Sequence, residues 1–199
     1  MRFTVLATIL LFSTACGTAP ANSQGQASHR ATAVFAGGCF WCTESDFDKM
    51  PGVLDTTSGF TGGRVPNATY EQVSAGGTGH YEAVRVTYDP TRISYAQLVR
   101  RFLPTVDVTD GGGQFCDRGD SYRPAIFVRT VQEKRAAQAA LTEAAKRVKQ
   151  PIALKILSAG PFWPAEEYHQ NYHTKNPIRY KFYRWNCGRD QRLSQVWQK

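Results

Sequence analysis

The sequence ATAVFAGGCFWCTESDFDK, residues 31–49, decides the fold. Its first six residues are mostly apolar and are followed by a pair of glycines, a pattern typical of a short buried strand and a tight turn. Residues 39–49 favour a helix, which the following Pro51 and Gly52 bring to an end. The stretch therefore predicts a strand, a glycine turn and a helix, with Cys39 where the helix begins.

Strand and helix patterns alternate along the rest of the chain. Strands are predicted at residues 53–60, 82–88, 125–129 and 152–157, and helices at residues 94–102, 131–149 and 165–171. Ser94 is placed to cap its helix, and the glycine-rich stretch 105–123 has no periodic pattern, which is typical of a functional loop. With no repeat and no domain boundary, the pattern predicts a single-domain, two-layer α/β sandwich of the α+β class.

The composition excludes several classes of protein. The chain has 199 residues, of which 42% are hydrophobic and 20% are charged, so it can build a core and is not a disordered chain. The apolar run at residues 3–12 is too short for a membrane-spanning helix. The net charge is +8, but no zinc-knuckle or RNA-recognition motif accompanies it, so we expect a solvated basic face and no nucleic-acid partner.

The N-terminus has the features of an export signal. Arg2, the apolar run at residues 3–12 and the small residues after it predict a signal peptide over residues 1–15. Cys16 and Gly17 resemble a bacterial lipobox, in which the cysteine becomes the acylated first residue. Ordinary signal-peptidase cleavage nearby is the alternative.

These features divide the chain into three parts. After the signal peptide, residues 16–30 hold the lipid-anchored Cys16 and a flexible tether, and residues 31–199 form the folded domain. We expect the protein in the periplasm or cell envelope, attached to the membrane by the lipid anchor only. Its other four cysteines would then meet an oxidising compartment.

The Gly-Gly-Cys-Phe-Trp-Cys motif carries the most chemical information. Unpaired N–H groups and the dipole at the start of a helix favour an anion, so we expect a lowered pKa and a reactive thiolate at Cys39. Phe40 and Trp41 can supply an apolar wall beside this sulfur. Cys42 lies one helical turn further on, and the pair alone is compatible with a structural disulfide, half of a zinc site or a thioredoxin-like redox pair. A zinc site would need a second cysteine pair at the right spacing, and the sequence has none.

The residues around Cys39 belong to a wider pattern. Gly38-Cys39-Phe40-Trp41 resembles the signature of the A-type peptide methionine sulfoxide reductases. Further matching segments follow in the same order: Asn67-Ala68-Thr69-Tyr70, Gly79-His80-Tyr81-Glu82-Ala83-Val84, the loop Asp117…Tyr122-Arg123, and Ala165-Glu166-Glu167-Tyr168-His169-Gln170. The resemblance extends from about residue 31 to the 180s. It implies that the sandwich is a ferredoxin-like-derived roll, with helices packed on a mixed sheet.

The resemblance also implies an activity: reduction of the S epimer of methionine sulfoxide, free or in oxidised proteins, back to methionine. Cys39 thiolate would be the nucleophile, and Glu82 would hold or donate the proton that the sulfoxide oxygen needs in order to leave. Cys39 would become a sulfenic acid and then part of an intramolecular disulfide, which a thioredoxin-like protein reduces without a cofactor or metal. The other implied site residues are Tyr70 and Tyr122 at the oxygen, Asp117 in the pocket, and Phe40 and Trp41 at the methyl group.

The thiol that resolves the sulfenic acid is left open between Cys42 and Cys187. Cys42 is favoured because one helical turn keeps it within reach of Cys39, and Cys116 with Cys187 would then form a shuttle pair or a structural bridge. Two rival hypotheses are a periplasmic thiol–disulfide oxidoreductase and a non-enzymatic lipoprotein that binds a partner through its basic tail. We expect a monomer.

Overall fold

A computed structural model of the protein describes Met1 and residues 29–197. The strands are β1 (Ala31–Ala36), β2 (Val53–Thr61), β3 (Tyr81–Tyr88), β4 (Gly113–Gln114), β5 (Asp117–Arg118), β6 (Ala125–Val128), β7 (Lys155–Ser158) and β8 (Phe162–Pro164). The helices are α1 (Phe40–Asp48), α2 (Tyr70–Ala75), α3 (Tyr95–Phe102), α4 (Val131–Ala145), α5 (Tyr172–Lys175), α6 (Pro177–Asn186) and α7 (Arg189–Trp197). The predicted signal peptide, Cys16 and nearly all of the tether lie outside the described residues.

Six strands form one sheet in the order β7-β6-β1-β3-β2-β8. Neighbouring strands are antiparallel except β6 and β7, which are parallel and joined by the crossover helix α4. A two-stranded hairpin, β4 and β5, lies within residues 105–123, the glycine-rich stretch that has no periodic pattern in the sequence. The predicted α+β fold, a mixed sheet with helices packed on it, is confirmed.

The alternation of side chains along β3 decides which residues reach the interior. Val84, Val86 and Tyr88 belong to the main hydrophobic core, whereas Tyr81 and Ala83 belong to a smaller cluster on the other face of the sheet. Glu82 falls in the same row as Val84, because successive residues of a strand point to opposite faces. A carboxyl group is thereby directed into the protein, and Glu82 is buried.

Several element boundaries differ from the prediction. The predicted cap of α3 is confirmed, since the Ser94 hydroxyl accepts a hydrogen bond from the Gln97 N–H. The strand predicted at residues 152–157 begins only at Lys155, because the two preceding N–H groups, of Ala153 and Leu154, donate to a loop carbonyl instead of the sheet. Helix α4 ends four residues early, and the helix predicted at residues 165–171 is only a 3-10 turn over Glu167–His169.

The C-terminal segment forms three helices that the sequence did not predict. Helix α6 begins with Pro177, a residue suited to a first helical turn because it lacks an N–H donor. Arg189, at the start of α7, is buried and donates to the carbonyl oxygens of Thr105 and Gly37 at 2.7 and 3.3 Å. This residue fastens the C-terminal helices to the turn that precedes Cys39. In the part of the chain that the structure describes, no helix has the length and apolarity to cross a membrane.

Candidate active site

The turn between β1 and α1 positions Cys39 as the residue that precedes the helix. Gly38 has a φ of 83°, and a Cβ added there would lie 2.5 Å from the Cβ of Gln114, so only glycine fits. Gln114 is buried and holds its own loop, since its side-chain oxygen accepts from Asp107 N–H at 2.8 Å. The active-site turn and the 105–123 loop are therefore packed against each other through Gln114.

Seven of the predicted residues meet at one small cavity of about 70 Å³. This volume accommodates the end of one side chain rather than a large ligand. An eighth lining residue, Tyr183, was not predicted. The lining consists of Cys39, Phe40, Trp41, Tyr70, Glu82, Asp117, Tyr122 and Tyr183.

Glu82 faces the first turn of α1. Its Oε2 accepts the Phe40 N–H at 3.0 Å, and the Tyr122 hydroxyl lies within hydrogen-bond reach of the carboxyl group. Burial raises the pKa of Glu82 to about 8, a shift that the Phe40 N–H opposes and the Asp117 charge reinforces. Near neutral pH this carboxyl group therefore carries a proton that it can donate into the cavity.

The expectation of a lowered pKa at Cys39 is wrong. Burial raises the pKa of Cys39, and the neighbouring Cys42 and the Glu82 charge raise it further. The helix does not compensate, because its first N–H, that of Phe40, is already bonded to Glu82 rather than free to face the sulfur. The pKa of Cys42 instead falls to about 7, through a hydrogen bond from Cys39 and the nearby charges of Arg189 and Arg184. The two sulfurs thus form one buried thiol pair.

Three tyrosines that line the cavity provide hydroxyl groups as hydrogen-bond donors. Burial raises the pKa of Tyr70 and of Tyr122, so both hydroxyls keep their protons across the physiological range. The Tyr183 hydroxyl donates to Asp117 Oδ2 and also lies within hydrogen-bond reach of Cys39. Burial raises the pKa of Asp117 as well. The sequence missed Tyr183 because it lies on α6, in a tail that carried only a basic and aromatic composition.

The apolar wall is held in place by residues outside the cavity. The indole N–H of Trp41 donates to His169 Nδ1 at 3.0 Å, and burial lowers the pKa of His169, which keeps that nitrogen available as an acceptor. Tyr172 stacks on Trp41 with 3.7 Å between ring centroids. His169 belongs to a segment that the sequence singled out, whereas nothing in the sequence pointed to Tyr172.

The remaining cysteines are arranged differently from Cys39. Cys42 is buried, lies within hydrogen-bond reach of Cys39 and does not line the cavity. Cys187 does not line it either: it forms a disulfide with the exposed Cys116, across 71 residues of sequence. The pairing of Cys116 with Cys187, which the sequence analysis considered as a shuttle pair or a structural bridge, is therefore the one present. Cys16 lies outside the described residues.

This arrangement suits one kind of chemistry. A nucleophilic sulfur, a protonated carboxyl group and neutral hydroxyl donors surround a space bounded by aromatic rings. Such a site can attack an electrophilic atom while it delivers a proton to the leaving oxygen.

Comparisons with known proteins agree with this geometry. A sequence model of the family "Peptide methionine sulfoxide reductase" matches residues 31–199. The "Peptide methionine sulfoxide reductase MsrA 2" of Caulobacter vibrioides is 51% identical over 191 residues, covering 95% of this chain and 97% of that protein. Methionine sulfoxide reductase A of Corynebacterium diphtheriae has a TM-score of 0.68 at 34% identity, covering 77% of this chain and 78% of the other. Reduced Mxr1 from Saccharomyces cerevisiae has a TM-score of 0.72 at 29% identity, covering 76% and 88%.

Proposed function

Because the chain belongs to the peptide methionine sulfoxide reductase family, we propose that the cavity around Cys39 is where it reduces its substrate. The reaction of this family is the thiol-dependent reduction of the S epimer of methionine sulfoxide to methionine, through a cysteine sulfenic acid and an intramolecular disulfide. The observation that carries the assignment of residues is the meeting of a buried thiol and a protonated carboxyl group at one small cavity.

In the proposed first step, Cys39 releases its proton to solvent, and the resulting thiolate attacks the sulfur of the sulfoxide. The sulfoxide oxygen gains negative charge and takes the proton of Glu82, while Tyr70 and Tyr122 donate hydrogen bonds to it. The net result is transfer of the oxygen atom to Cys39, which becomes a sulfenic acid, and release of methionine. Trp41, fixed by its bond to His169, holds the methyl group of the substrate.

In the proposed second step, Cys42 resolves the sulfenic acid. Its thiolate attacks the Cys39 sulfur and the S–O bond breaks, so a disulfide forms and the oxygen leaves as hydroxide, which takes a proton from solvent to become water. Three features support Cys42 over Cys187: its hydrogen bond with Cys39, its pKa of about 7, and the disulfide that already binds Cys187 to Cys116. A thiolate near neutral pH is the form that this step needs.

The proposal extends to the surroundings of the enzyme. We propose that a thioredoxin-like dithiol protein returns the electrons without a cofactor, and that the protein is a monomer that repairs oxidised proteins of the cell envelope. The signal-like residues 1–15 and the lipobox-like Cys16 support that location and a lipid anchor. Mass spectrometry of the N-terminal peptide tests the anchor: a diacylglyceryl group on Cys16 is expected, and an unmodified N-terminus created by cleavage elsewhere contradicts it.

One experiment tests the assignment of the thiols. Fully reduced protein is mixed with one equivalent of either separated epimer of methionine sulfoxide and no external reductant. We expect one equivalent of methionine from the S epimer, none from the R epimer, and a Cys39–Cys42 disulfide in the peptide map. A disulfide between Cys39 and Cys187 in that map would refute the role of Cys42.

A further inference from the structure

We propose that Cys116 and Cys187, once their disulfide is reduced, bind a zinc ion together with Asp117. The inference goes beyond the proposed function, which needs no metal, and does not depend on it. It adds a metal site at the surface, formed by two sulfur atoms and one carboxylate oxygen.

The three ligand atoms already lie close together. The sulfur atoms of Cys116 and Cys187 and a carboxylate oxygen of Asp117 are all within 4.8 Å of one another. In the part of the chain that the structure describes, no other three cysteine, histidine, aspartate or glutamate side chains form such a group. Two soft sulfur ligands and one carboxylate therefore meet at a single point, between the 105–123 loop and the end of α6.

The distances between these atoms suit a tetrahedral zinc ion. Zinc binds thiolate sulfur at about 2.3 Å and carboxylate oxygen at about 2.0 Å, so two sulfurs on one ion lie about 3.8 Å apart and a sulfur and an oxygen about 3.5 Å apart. The Cys116 sulfur lies 3.8 Å from Asp117 Oδ1. The α carbons of the two cysteines are 4.9 Å apart, which lets their sulfurs separate to about 3.8 Å once the bond between them is broken. The backbone thus has the spacing that the ion needs.

The Asp117 carboxylate is oriented for this role by its second oxygen. Its Oδ2 accepts a hydrogen bond from the Tyr183 hydroxyl, while Oδ1 is the oxygen that faces the Cys116 sulfur. A hydrogen bond to the oxygen that does not touch the metal fixes the orientation of a carboxylate ligand. Asp117 can therefore bind zinc through Oδ1 and keep its bond to Tyr183.

The site is open to solvent. Cys116 is exposed, and Asp117 and Cys187 are half-buried, so an ion can enter without a change in the fold. Three protein ligands leave the fourth position of a tetrahedral ion to water. Thiolate ligands favour zinc over magnesium and calcium, which prefer oxygen ligands.

The zinc ion and the disulfide exclude each other. A dithiol reductant gives two electrons and two protons to the Cys116–Cys187 disulfide, which becomes two thiols while the reductant becomes a disulfide. Zinc then displaces both thiol protons to solvent, and the sulfurs bind it as thiolates. Because only the reduced pair binds zinc, zinc must stabilise the reduced pair by the same factor. The exposed pair therefore responds to the concentration of free zinc as well as to the redox potential.

The requirement for the exposed pair is tested by competition for zinc with a coloured chelator of known affinity. The protein is reduced with a phosphine, which has no thiol that binds the metal. We expect one zinc ion per reduced chain, and loss of this ion in the oxidised protein and in reduced Cys116→Ser/Cys187→Ser. Cys39→Ser/Cys42→Ser removes the same number of thiols and keeps the ion, so it is the matched control. Equal binding by oxidised and reduced protein overturns the proposal, as does undiminished binding by Cys116→Ser/Cys187→Ser.

The same competition assay tests the third ligand. Tyr183→Phe removes only the bond that orients the carboxylate, and we expect it to lower the affinity for zinc by about 10- to 100-fold. Asp117→Asn removes the ligand itself and lowers the affinity further. Asp120→Asn, which changes an exposed carboxylate of the same loop, is the matched control and leaves the affinity unchanged. Full affinity in Asp117→Asn would mean that the sulfurs alone hold the ion, and the three-ligand site would be wrong.

The link between zinc and the disulfide is tested in glutathione buffers of fixed potential, with free zinc held constant by a metal buffer. When free zinc is about 100 times its dissociation constant, we expect the ratio of dithiol to disulfide at Cys116 and Cys187 to rise about 100-fold, or about 59 mV for two electrons. A ratio that does not change with zinc contradicts the site. None of these measurements uses methionine sulfoxide, so their failure leaves the proposed reduction of the sulfoxide standing.

Discussion

The two cysteine pairs of this protein consist of the same residue type in opposite environments. Cys39 and Cys42 are buried beside a carboxyl group and arginines, whereas Cys116 and Cys187 lie at the surface and are bonded to each other. The first pair is buried next to ionisable groups that shift the pKa values of its thiols, and burial limits the access of other proteins to its sulfur atoms. Exposure leaves the second pair open to solvent. The environment of each sulfur, rather than the residue type, therefore separates the pair at the cavity from the pair that is already bonded.

The largest expected effect comes from removing the acid that faces the buried pair. Glu82→Gln keeps the shape of the side chain but cannot release a proton to the sulfoxide oxygen. We expect the single-turnover rate of methionine formation to fall by about 10²- to 10⁴-fold, the usual contribution of a general acid. Stopped mixing with quench and methionine analysis measures this rate.

The pH dependence of that rate separates the acid from a merely structural residue. Burial places the pKa of Glu82 at about 8 and raises the pKa of Cys39 above its ordinary value, so the form of the pair that keeps one shared proton gains population as the pH rises to about 8 and is lost only at higher pH. In the wild-type protein the rate therefore rises with pH and then falls when this last proton leaves. In Glu82→Gln no such proton exists, and the rate follows only formation of the Cys39 thiolate, rising with pH. A falling limb that persists in the variant contradicts the role of Glu82.

A smaller effect is expected on stability when the exposed pair is removed. The Cys116–Cys187 disulfide closes a loop with a sequence separation of 71 residues, so it restricts the unfolded chain. We expect Cys116→Ser/Cys187→Ser to lower the free energy of unfolding by about 2–4 kcal/mol in urea titrations without reductant. Wild-type protein in dithiothreitol is the control and should match the variant. Equal stability of the variant and the oxidised wild type would show that the bond does not constrain the chain.

The smallest effect is expected at Tyr183, the residue of α6 that lines the cavity. Tyr183→Phe removes the hydroxyl that donates to Asp117 and lies beside Cys39, but it keeps the ring. We expect the single-turnover rate to fall by about tenfold, since Tyr70 and Tyr122 still donate to the oxygen. Tyr180→Phe, on the same helix but outside the cavity, is the matched control. Equal rates for the two variants would remove Tyr183 from the site.

Local patterns in the sequence were sufficient to predict the site residues near the N-terminus of the domain. The glycine turn predicted that Cys39 lies at the start of a helix. The alternation of side chains along β3 places Glu82 on the same face as Val84. The raised pKa of Cys39 could not be predicted in this way, because it depends on burial and on where the Phe40 N–H is directed. Those features exist only after distant strands and helices have packed together.

Local sequence patterns could not predict the C-terminal part of the site. Helix α6 exposes Phe182 and Trp185 while it buries Tyr180, so its side chains do not follow the usual separation of apolar and polar faces. The position of Tyr183 beside Cys39 and the bond from Cys116 to Cys187 both join segments that lie far apart in the sequence. The sequence limited the pairing of the cysteines to a few possibilities, and packing selected among them.

The most direct test compares two single substitutions in the buried pair. Reduced Cys39→Ser and Cys42→Ser proteins are each mixed with one equivalent of the S sulfoxide, and the methionine formed is counted. We predict none from Cys39→Ser, and one equivalent from Cys42→Ser with a sulfenic acid left on Cys39 that a dimedone-type probe labels. Methionine from Cys39→Ser, or its absence from a folded Cys42→Ser protein, would contradict the division of roles within the pair.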